Sequence, residues 1–178
     1  MAREYLKKAP RTSRTDATDV TATVQGILDD IEARGDEAAM EYAAKFDRYE
    51  GPLKLSRADI EAASAKVPDK LKADIQFAHA KVKLFAEAQK ASLTDFETEI
   101  VPGLIAGQRA MPVNAAGCYI PGGRYAHIAS AIMTVTTAKV AGCGSIVACS
   151  PPRPGEGVAP AVVYAADLGG ADTILAMG

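Results

Sequence analysis

Residues 117–142 decide the fold, and they read GCYIPGGRYAHIASAIMTVTTAKVAG. The apolar stretch Ala116–Ile120 predicts a short buried strand, and a Pro-Gly-Gly turn follows it directly. A helix is then predicted over 129–141, ending cleanly at Gly142. A glycine turn between a strand and a helix N-terminus lets backbone N–H groups and the helix dipole meet an anion. The stretch therefore predicts a place for a nucleotide phosphate or an acidic substrate.

The residues that follow repeat the alternation of strand and helix. Strands are predicted at Ser145–Cys149 and Asp172–Met177, and an apolar helix at Val158–Leu168 lies between them. With short turns, this order predicts a right-handed, parallel βαβαβ unit, which is half of a doubly wound nucleotide-binding sheet. The sheet would stop at Gly178 with an apolar face that no helix covers. We therefore expect a chain that is cut short and a partner that pairs with the open edge.

The composition changes sharply near residue 100. Only 7 of the 42 charged residues lie beyond that point, whereas 12 of the 15 glycines do. A charge-rich, glycine-poor first part is typical of surface helices. Four helices are predicted there: over Val20–Ile31, from Asp36 with Phe46 buried, from a capping box of Ser56 and Asp59, and after Pro68 with Phe85 on the apolar stripe. The glycine-rich second part opens with a strand predicted at Leu104–Gln108.

Charge and cysteine content narrow the class of protein. A net charge of −2 is atypical of nucleic-acid binders, which carry a basic patch. The three cysteines lack CxxC spacing and read as buried apolar side chains of a reduced, cytoplasmic protein rather than as nucleophiles. No apolar run approaches the roughly 18 residues that a membrane span needs, and no secretory signal is recognised. We expect no membrane partner.

The dinucleotide fingerprint GxGxxG is absent after the first parallel strand. Pro121-Gly122-Gly123 offers a tight turn and close backbone approach at a different spacing. From the residues alone, a purely structural βα turn fits as well as a nucleotide site.

Eight short motifs resemble those of the histidinol dehydrogenase family and occur in the same order. They are Arg34-Gly-Asp-Glu-Ala, Lys45-Phe-Asp, Phe85-Ala-Glu-Ala-Gln, Pro102-Gly-Leu, Gly117-Cys-Tyr-Ile-Pro-Gly-Gly, Ala138-Lys-Val-Ala-Gly, Ser150-Pro-Pro and Gly169-Gly-Ala-Asp. The resemblance implies an enzyme that uses zinc and NAD to oxidise a primary alcohol through an aldehyde to a carboxylate. It also implies an intertwined homodimer with two incomplete Rossmann-like domains. Residues 1–115 would then be the helical part of the first domain, and 116–178 would open the NAD-binding domain.

The resemblance assigns three site residues. The family's NAD-contacting tyrosine falls on Tyr119, for which a core tyrosine is the alternative. After Pro-Gly-Gly the family carries small and apolar residues, whereas this chain has Arg124 and His127. Relatives with similar Gly-Arg/Lys-Tyr sequences resemble dehydrogenases for other polar alcohols, such as sulfonated diols. Arg124 and His127 are therefore predicted to bind an anionic substrate group, although Arg124 fits equally well as a solvated surface charge.

The family's zinc ligands and its glutamate–histidine acid/base pair fall beyond residue 178. Only two histidines are present, 48 residues apart, so neither a catalytic residue nor a zinc ligand is assigned in this chain. We expect the chain alone to be inactive and to associate with a second copy or with the missing C-terminal portion. A free-standing, non-catalytic α/β module that binds a nucleotide or a protein partner is the rival hypothesis.

Overall fold

The computed structural model describes residues 14–123 and 125–178, and for residues 14–19 it describes the backbone alone. These residues form two compact units, which divide between Glu41 and Tyr42. The fold class predicted from the sequence is confirmed: helices come first, and a parallel βαβαβ unit follows.

The first unit is helical. Helix α1 spans Arg14–Arg34, and helix α2 spans Asp36–Tyr42 after Gly35, whose φ is +63°. The Arg34 guanidinium donates to Asp30 at 2.7 Å and to Glu41 at 2.9 and 3.0 Å. These hydrogen bonds hold the pKa of Arg34 above its ordinary value and lower the pKa of Glu41. The Arg-Gly-Asp-Glu-Ala motif thus ties the end of one helix to the next.

The second unit opens with a π-helical turn over Ala43–Asp47, and it overturns one expectation. Phe46 was predicted to be buried, but 59% of its surface is exposed. A π turn inserts an extra residue per turn, so the side chains after Ala43 rotate away from the apolar face. Phe46 instead stacks on Tyr42, with ring centroids 5.8 Å apart.

Helix α3 spans Arg57–Ala65 and begins as predicted. The Ser56 hydroxyl accepts a hydrogen bond from the Asp59 N–H, and the Asp59 carboxylate accepts from the Ser56 N–H at 2.8 Å. These contacts form the predicted capping box and lower the pKa of Asp59, because hydrogen bonds from Ser56 stabilise its ionised form.

Helix α4 spans Asp69–Ala91 and buries a stripe that includes Ile75 and Ala86. Phe85, predicted to be on that stripe, is 66% exposed. Ala86, four residues after Val82, takes the buried position instead, at the end of α4 where the Lys90 ammonium donates to the Val140 carbonyl of α5 at 2.8 Å.

A β-hairpin separates the helices from the parallel sheet. Strand β1 spans Phe96–Val101 and pairs antiparallel with β2, Leu104–Gln108, across a register shift between Glu99 and Val101. The strand at Leu104–Gln108 was predicted, whereas its partner was not. Every residue of both strands is exposed, so the hairpin contributes no side chain to the described core.

The parallel sheet has the order β3-β4-β5, with strands at Ala115–Tyr119, Ser145–Ser150 and Thr173–Ala176. Helix α5, Ile128–Ala141, connects the first pair, and α6, Pro160–Gly169, connects the second. Both strand pairs are parallel, so both helices are crossovers, as predicted. Residues 53–55 run antiparallel along the far edge of β5, where the Leu55 N–H donates to the Ile174 carbonyl at 3.0 Å.

Helices α5 and α6 cover one face of this sheet, and α3 and α4 pack against those helices from outside. The core between the layers is apolar, and Ile146, Ala148 and Val135 are fully buried in it. Asp172, from the Gly-Gly-Ala-Asp motif, accepts a hydrogen bond from the Ile146 N–H at 2.8 Å and so fixes the start of β5 against β4. The proposed boundary at residue 115 stays a prediction.

Among the described residues, no helix is both long and apolar enough to cross a membrane.

Candidate functional site at the carboxyl edge of the sheet

The carboxyl ends of β3, β4 and β5 meet at one edge, which is where open α/β sheets bind ligands. Tyr119 is the last residue of β3. Its neighbours Cys118 and Ile120 point into the core, and strand alternation therefore places Tyr119 on the opposite, open face. It is 54% exposed, which excludes the core-tyrosine alternative. An exposed aromatic ring with a free hydroxyl at this edge suits contact with a nucleotide.

The turn after β3 brings backbone close to the next loop. Gly123 has a φ of +122°, which L side chains rarely adopt. A Cβ on Gly122 would lie 2.9 Å from Cγ of Pro151, so the turn and the loop after β4 pack with no room for a side chain. The two glycines thus allow the turn after β3 to lie against the loop after β4 at the carboxyl edge of the sheet.

His127 occupies the N-cap position of α5. Its side chain is exposed and makes no capping hydrogen bond, and its carbonyl accepts from the Ala131 N–H at 3.2 Å. The imidazole is therefore available at the positive end of the helix. Arg124, the other predicted substrate-binding residue, lies outside the described residues. The structure places Tyr119 and His127 on either side of the same turn.

A cleft of about 260 Å³ opens between the Pro-Gly-Gly turn and the loop after β4. Two of its lining residues, Ser150 and Arg153, were not predicted from the sequence as site residues. The sequence did contain a signal for them, because Ser150-Pro-Pro-Arg directly follows the predicted strand Ser145–Cys149 and the residues after parallel strands commonly line ligand sites. The remaining described lining residues are Pro121, Gly122, Gly123, Tyr125, Ala126, Pro151, Pro152, Pro154, Ala159 and Val162.

The same edge is joined to the π-helical turn. The carboxylate of Asp47, from the Lys-Phe-Asp motif, accepts a hydrogen bond from the Gly178 N–H at 3.1 Å. Arg48, the next residue, has a left-handed φ of 53°, which is uncommon for a residue with a side chain. The hydrogen bond between Asp47 and Gly178 therefore connects the end of the π-helical turn to the residues that follow β5.

A larger groove of about 950 Å³ lies at the other end of α5. Its lining includes Gly142, Arg109 and Lys90, whose ammonium already donates to the Val140 carbonyl at 2.8 Å. Because α5 runs back from the carboxyl edge, this groove is on the amino side of the sheet. Ligands of open α/β sheets bind at the opposite edge, so we favour the smaller cleft as the candidate site.

The three cysteines lie in or beside the sheet. Cys118 and Cys143 are buried and Cys149 is half-buried, and all three thiols are free. Burial raises the pKa of the Cys118 and Cys149 thiols, which disfavours the reactive thiolate. Their interpretation as apolar packing residues agrees with this.

The described residues do not fit a zinc site. Within 14–123 and 125–178, no three His, Cys, Asp or Glu side chains come together closely enough to hold a metal ion. A catalytic zinc takes three protein ligands.

A parallel βαβαβ unit with a glycine turn at its carboxyl edge is the arrangement of the doubly wound α/β proteins. The histidinol dehydrogenase family model matches residues 10–178. The chain belongs to the histidinol dehydrogenase family.

Individual relatives differ in name. The chain is 71% identical over 178 residues to the sulfopropanediol 3-dehydrogenase of Ruegeria pomeroyi, and 51% identical over 179 residues to a histidinol dehydrogenase homolog of Pelagibacter ubique. A crystal structure of histidinol dehydrogenase from Elizabethkingia anophelis superposes with a TM-score of 0.80 at 30% identity, covering 99% of this chain and 39% of that one. All of this chain aligns with the first two relatives but spans only 41% and 42% of their lengths.

Proposed function

We propose that this chain forms the N-terminal portion of a zinc- and NAD-dependent dehydrogenase that oxidises a polar primary alcohol through an aldehyde to a carboxylate. The proposal rests on membership of the histidinol dehydrogenase family and on one structural observation. This observation is the exposed Tyr119 ring, set beside a glycine turn at the carboxyl edge of a parallel sheet.

In the proposed enzyme, this edge holds NAD. Tyr119 offers a ring face and a hydroxyl on the open side of the sheet, and the Pro-Gly-Gly turn lets the backbone approach the nucleotide. NAD supplies the acceptor for the hydride that leaves the alcohol carbon. The residues of this chain bind and orient the nucleotide, and none of them is assigned a proton-transfer role.

We further propose that the substrate alcohol carries an anionic group, which Arg124 and His127 recognise. His127 lies exposed at the N-terminus of α5, where the helix dipole favours an anion. The high identity to a relative named sulfopropanediol 3-dehydrogenase supports an anionic diol over histidinol. Histidine biosynthesis is accordingly the less favoured role.

The partner in this proposal is a second copy of the chain in a cytoplasmic homodimer, or the remaining part of the longer enzyme. The support is the apolar hairpin, whose Ile105 and Ile100 side chains are 64% and 59% exposed. A two-stranded hairpin is only marginally stable by itself in water, so a covering surface would stabilise it.

A non-catalytic α/β module that binds a nucleotide or a protein partner is the second candidate. The observation that favours it is that the described residues hold a candidate nucleotide edge but no metal-ligand cluster. The two functions can be distinguished by one measurement. A longer protein that matches the full length of the relatives should oxidise an alcohol if the first proposal is right and should not if the second is right.

The test is NAD reduction by that longer enzyme, with sulfopropanediol and histidinol as competing substrates. We expect a higher kcat/KM for the sulfonated diol, and we expect His127→Ala to lower it by about tenfold while sparing an uncharged diol. Loss of one charge-assisted contact accounts for this magnitude. Absence of NAD reduction with any alcohol would favour the non-catalytic module, and a preference for histidinol would remove His127 from specificity.

A further inference from the structure

A segment that precedes α3 runs along the outer edge of the parallel sheet, and we call this segment, residues 47–55, the strap. The Leu55 N–H donates to the Ile174 carbonyl at 3.0 Å, and the Ala176 N–H donates to the Leu53 carbonyl at 2.7 Å. These hydrogen bonds give the far edge of β5 an antiparallel neighbour. Followed backward from Leu55, the strap therefore leads toward the carboxyl end of β5.

Asp47, at the start of the strap, continues this contact past the end of the strand. Strand β5 ends at Ala176, and one carboxylate oxygen of Asp47 accepts a hydrogen bond from the Gly178 N–H at 3.1 Å. The other carboxylate oxygen lies 3.3 Å from the position that a Cβ on Gly178 would take. A carboxylate is a charged acceptor, so this hydrogen bond is of the stronger, charge-assisted kind. Asp47 therefore holds a peptide that lies beyond the hydrogen-bond ladder of β5.

Pro151 contacts the same peptide from another side. A Cβ on Gly178 would lie 3.0 Å from Cγ of Pro151, and a Cβ on Gly122 would lie 2.9 Å from the same atom. The proline ring thus lies between the turn after β3 and the residues after β5. Because Gly178 is in contact with both Asp47 and Pro151, the path of the chain after β5 is fixed from two sides.

This path matters because open α/β sheets bind ligands outside the carboxyl ends of their strands. The residues that leave β5 enter that region beside the loop after β4. The orientation of the Gly178 peptide sets the direction in which they leave, and the hydrogen bond with Asp47 fixes that orientation. Asp47 can therefore influence a ligand at this edge without touching it.

We propose that Asp47 is a positioning residue for NAD binding. It acts through Gly178, because its carboxylate holds the Gly178 N–H and so keeps the residues that follow β5 at the edge where the nucleotide would bind. The proposal rests on the proposed NAD-dependent function. It assigns the Lys-Phe-Asp motif a role in cofactor affinity rather than in folding alone.

The sign of the effect separates positioning from simple electrostatics. NAD carries a diphosphate, so removal of a nearby carboxylate should by itself strengthen NAD binding. Loss of positioning should weaken it instead. Glu50 is exposed on the same strap and supplies the matched control. Glu50→Ala removes the same charge as Asp47→Ala but leaves the hydrogen bond to Gly178 in place.

The experiment uses the longer protein that matches the full length of the relatives, and it combines calorimetric titration with NAD, steady-state kinetics and a thermal melt. We expect Asp47→Ala to raise the Kd and the KM for NAD by about fivefold and to change kcat by less than about twofold, as for the loss of one charge-assisted hydrogen bond. Asp47→Asn keeps a neutral acceptor oxygen, so it should raise the Kd by less than Asp47→Ala does. Glu50→Ala should not raise it.

Three results would overturn the positioning role and leave the NAD-dependent function standing. They are an unchanged Kd for NAD in Asp47→Ala, even if its thermal midpoint falls, equal weakening in Asp47→Asn and Asp47→Ala, and equal weakening in Glu50→Ala. If NAD binds with the expected dependence on Asp47 but no alcohol is oxidised, the positioning role stands and the dehydrogenase function fails. Absence of NAD binding by the unmodified protein would overturn both proposals.

Discussion

At the scale of single residues, consecutive side chains at the end of β3 lie on opposite faces of the sheet. Cys118 and Ile120 are buried against the helices, and Tyr119 between them faces away from the core. A tyrosine side chain has only two rotatable torsions, so it loses little conformational entropy when a ligand packs on it. Tyr119 can therefore pack against an aromatic or ribose ring of a ligand at a low entropic cost.

Tyr119→Ala should weaken NAD binding by about 1–3 kcal/mol, the loss of one well-packed aromatic contact. Because the side chain is exposed, the thermal midpoint of the chain should stay nearly constant. Isothermal titration with NAD and a parallel thermal melt measure the two quantities. Phe77→Ala removes a similarly exposed aromatic ring from α4, away from the candidate cleft, and is the comparison. An unchanged NAD affinity in Tyr119→Ala would take this residue out of the site.

Sequence patterns predicted the general buried face of a helix well, but they did not predict which individual residue is buried where two helices pack. Ile75 was correctly placed on the apolar stripe of α4, but Phe85 was not, because the neighbouring Ala86 takes the buried position and a helical spacing of three or four residues from Val82 allows either one. Strand β1 was missed for a different reason. Its sequence, FETEIV, alternates with a period of two, but it carries two glutamates, a residue type that is depleted in strands, and all six residues are exposed.

The candidate site was predictable to a similar degree. The strand–Pro-Gly-Gly–helix order correctly placed Tyr119 and the turn at the carboxyl edge. Ser150 and Arg153 could not be assigned, because their position depends on how the loop after β4 folds back through the Arg153–Gly157 backbone pair. Such long-range placement leaves no periodic signal in the chain.

At the scale of elements, the contact between α5 and α6 depends on Gly169. A Cβ at this position would lie 3.0 Å from Cγ1 of Val135 and 3.3 Å from the Thr136 hydroxyl. Both neighbours are almost completely buried, so neither has space to move aside. The last turn of α6 therefore needs a residue without a side chain to reach α5.

Gly169→Ala should destabilise the second unit by about 1–3 kcal/mol, the usual cost of overpacking a tight core. Gly26→Ala is the control, because nothing lies within 4 Å of its Cβ position in the middle of α1, so it should stabilise that helix by up to about 1 kcal/mol. Chemical denaturation followed by circular dichroism measures both. A stabilised Gly169→Ala variant would show that α5 and α6 can separate without cost.

At the scale of the whole chain, the β-hairpin exposes a cluster of apolar side chains that lies outside the core. The hairpin residues Phe96, Ile100, Val101, Leu104 and Ile105 are each more than half exposed. Clustered exposed apolar side chains of this kind mark interaction surfaces. The hairpin is therefore the region through which the proposed homodimer would be expected to form.

Ile105→Lys tests this without disrupting the hairpin. Ile105 lies directly opposite Glu99 in the register, so a lysine there can form a cross-strand ion pair while it removes apolar surface. We expect the unmodified chain to sediment as a dimer or larger species at tens of micromolar and Ile105→Lys to shift it toward monomer, an effect expected from desolvating one charge in an apolar interface. Leu84→Lys makes the same exchange at a 64% exposed position on α4 and should leave the association state unchanged. If the unmodified chain sediments as a monomer, or if both variants dissociate it equally, the hairpin is not the surface that joins two copies.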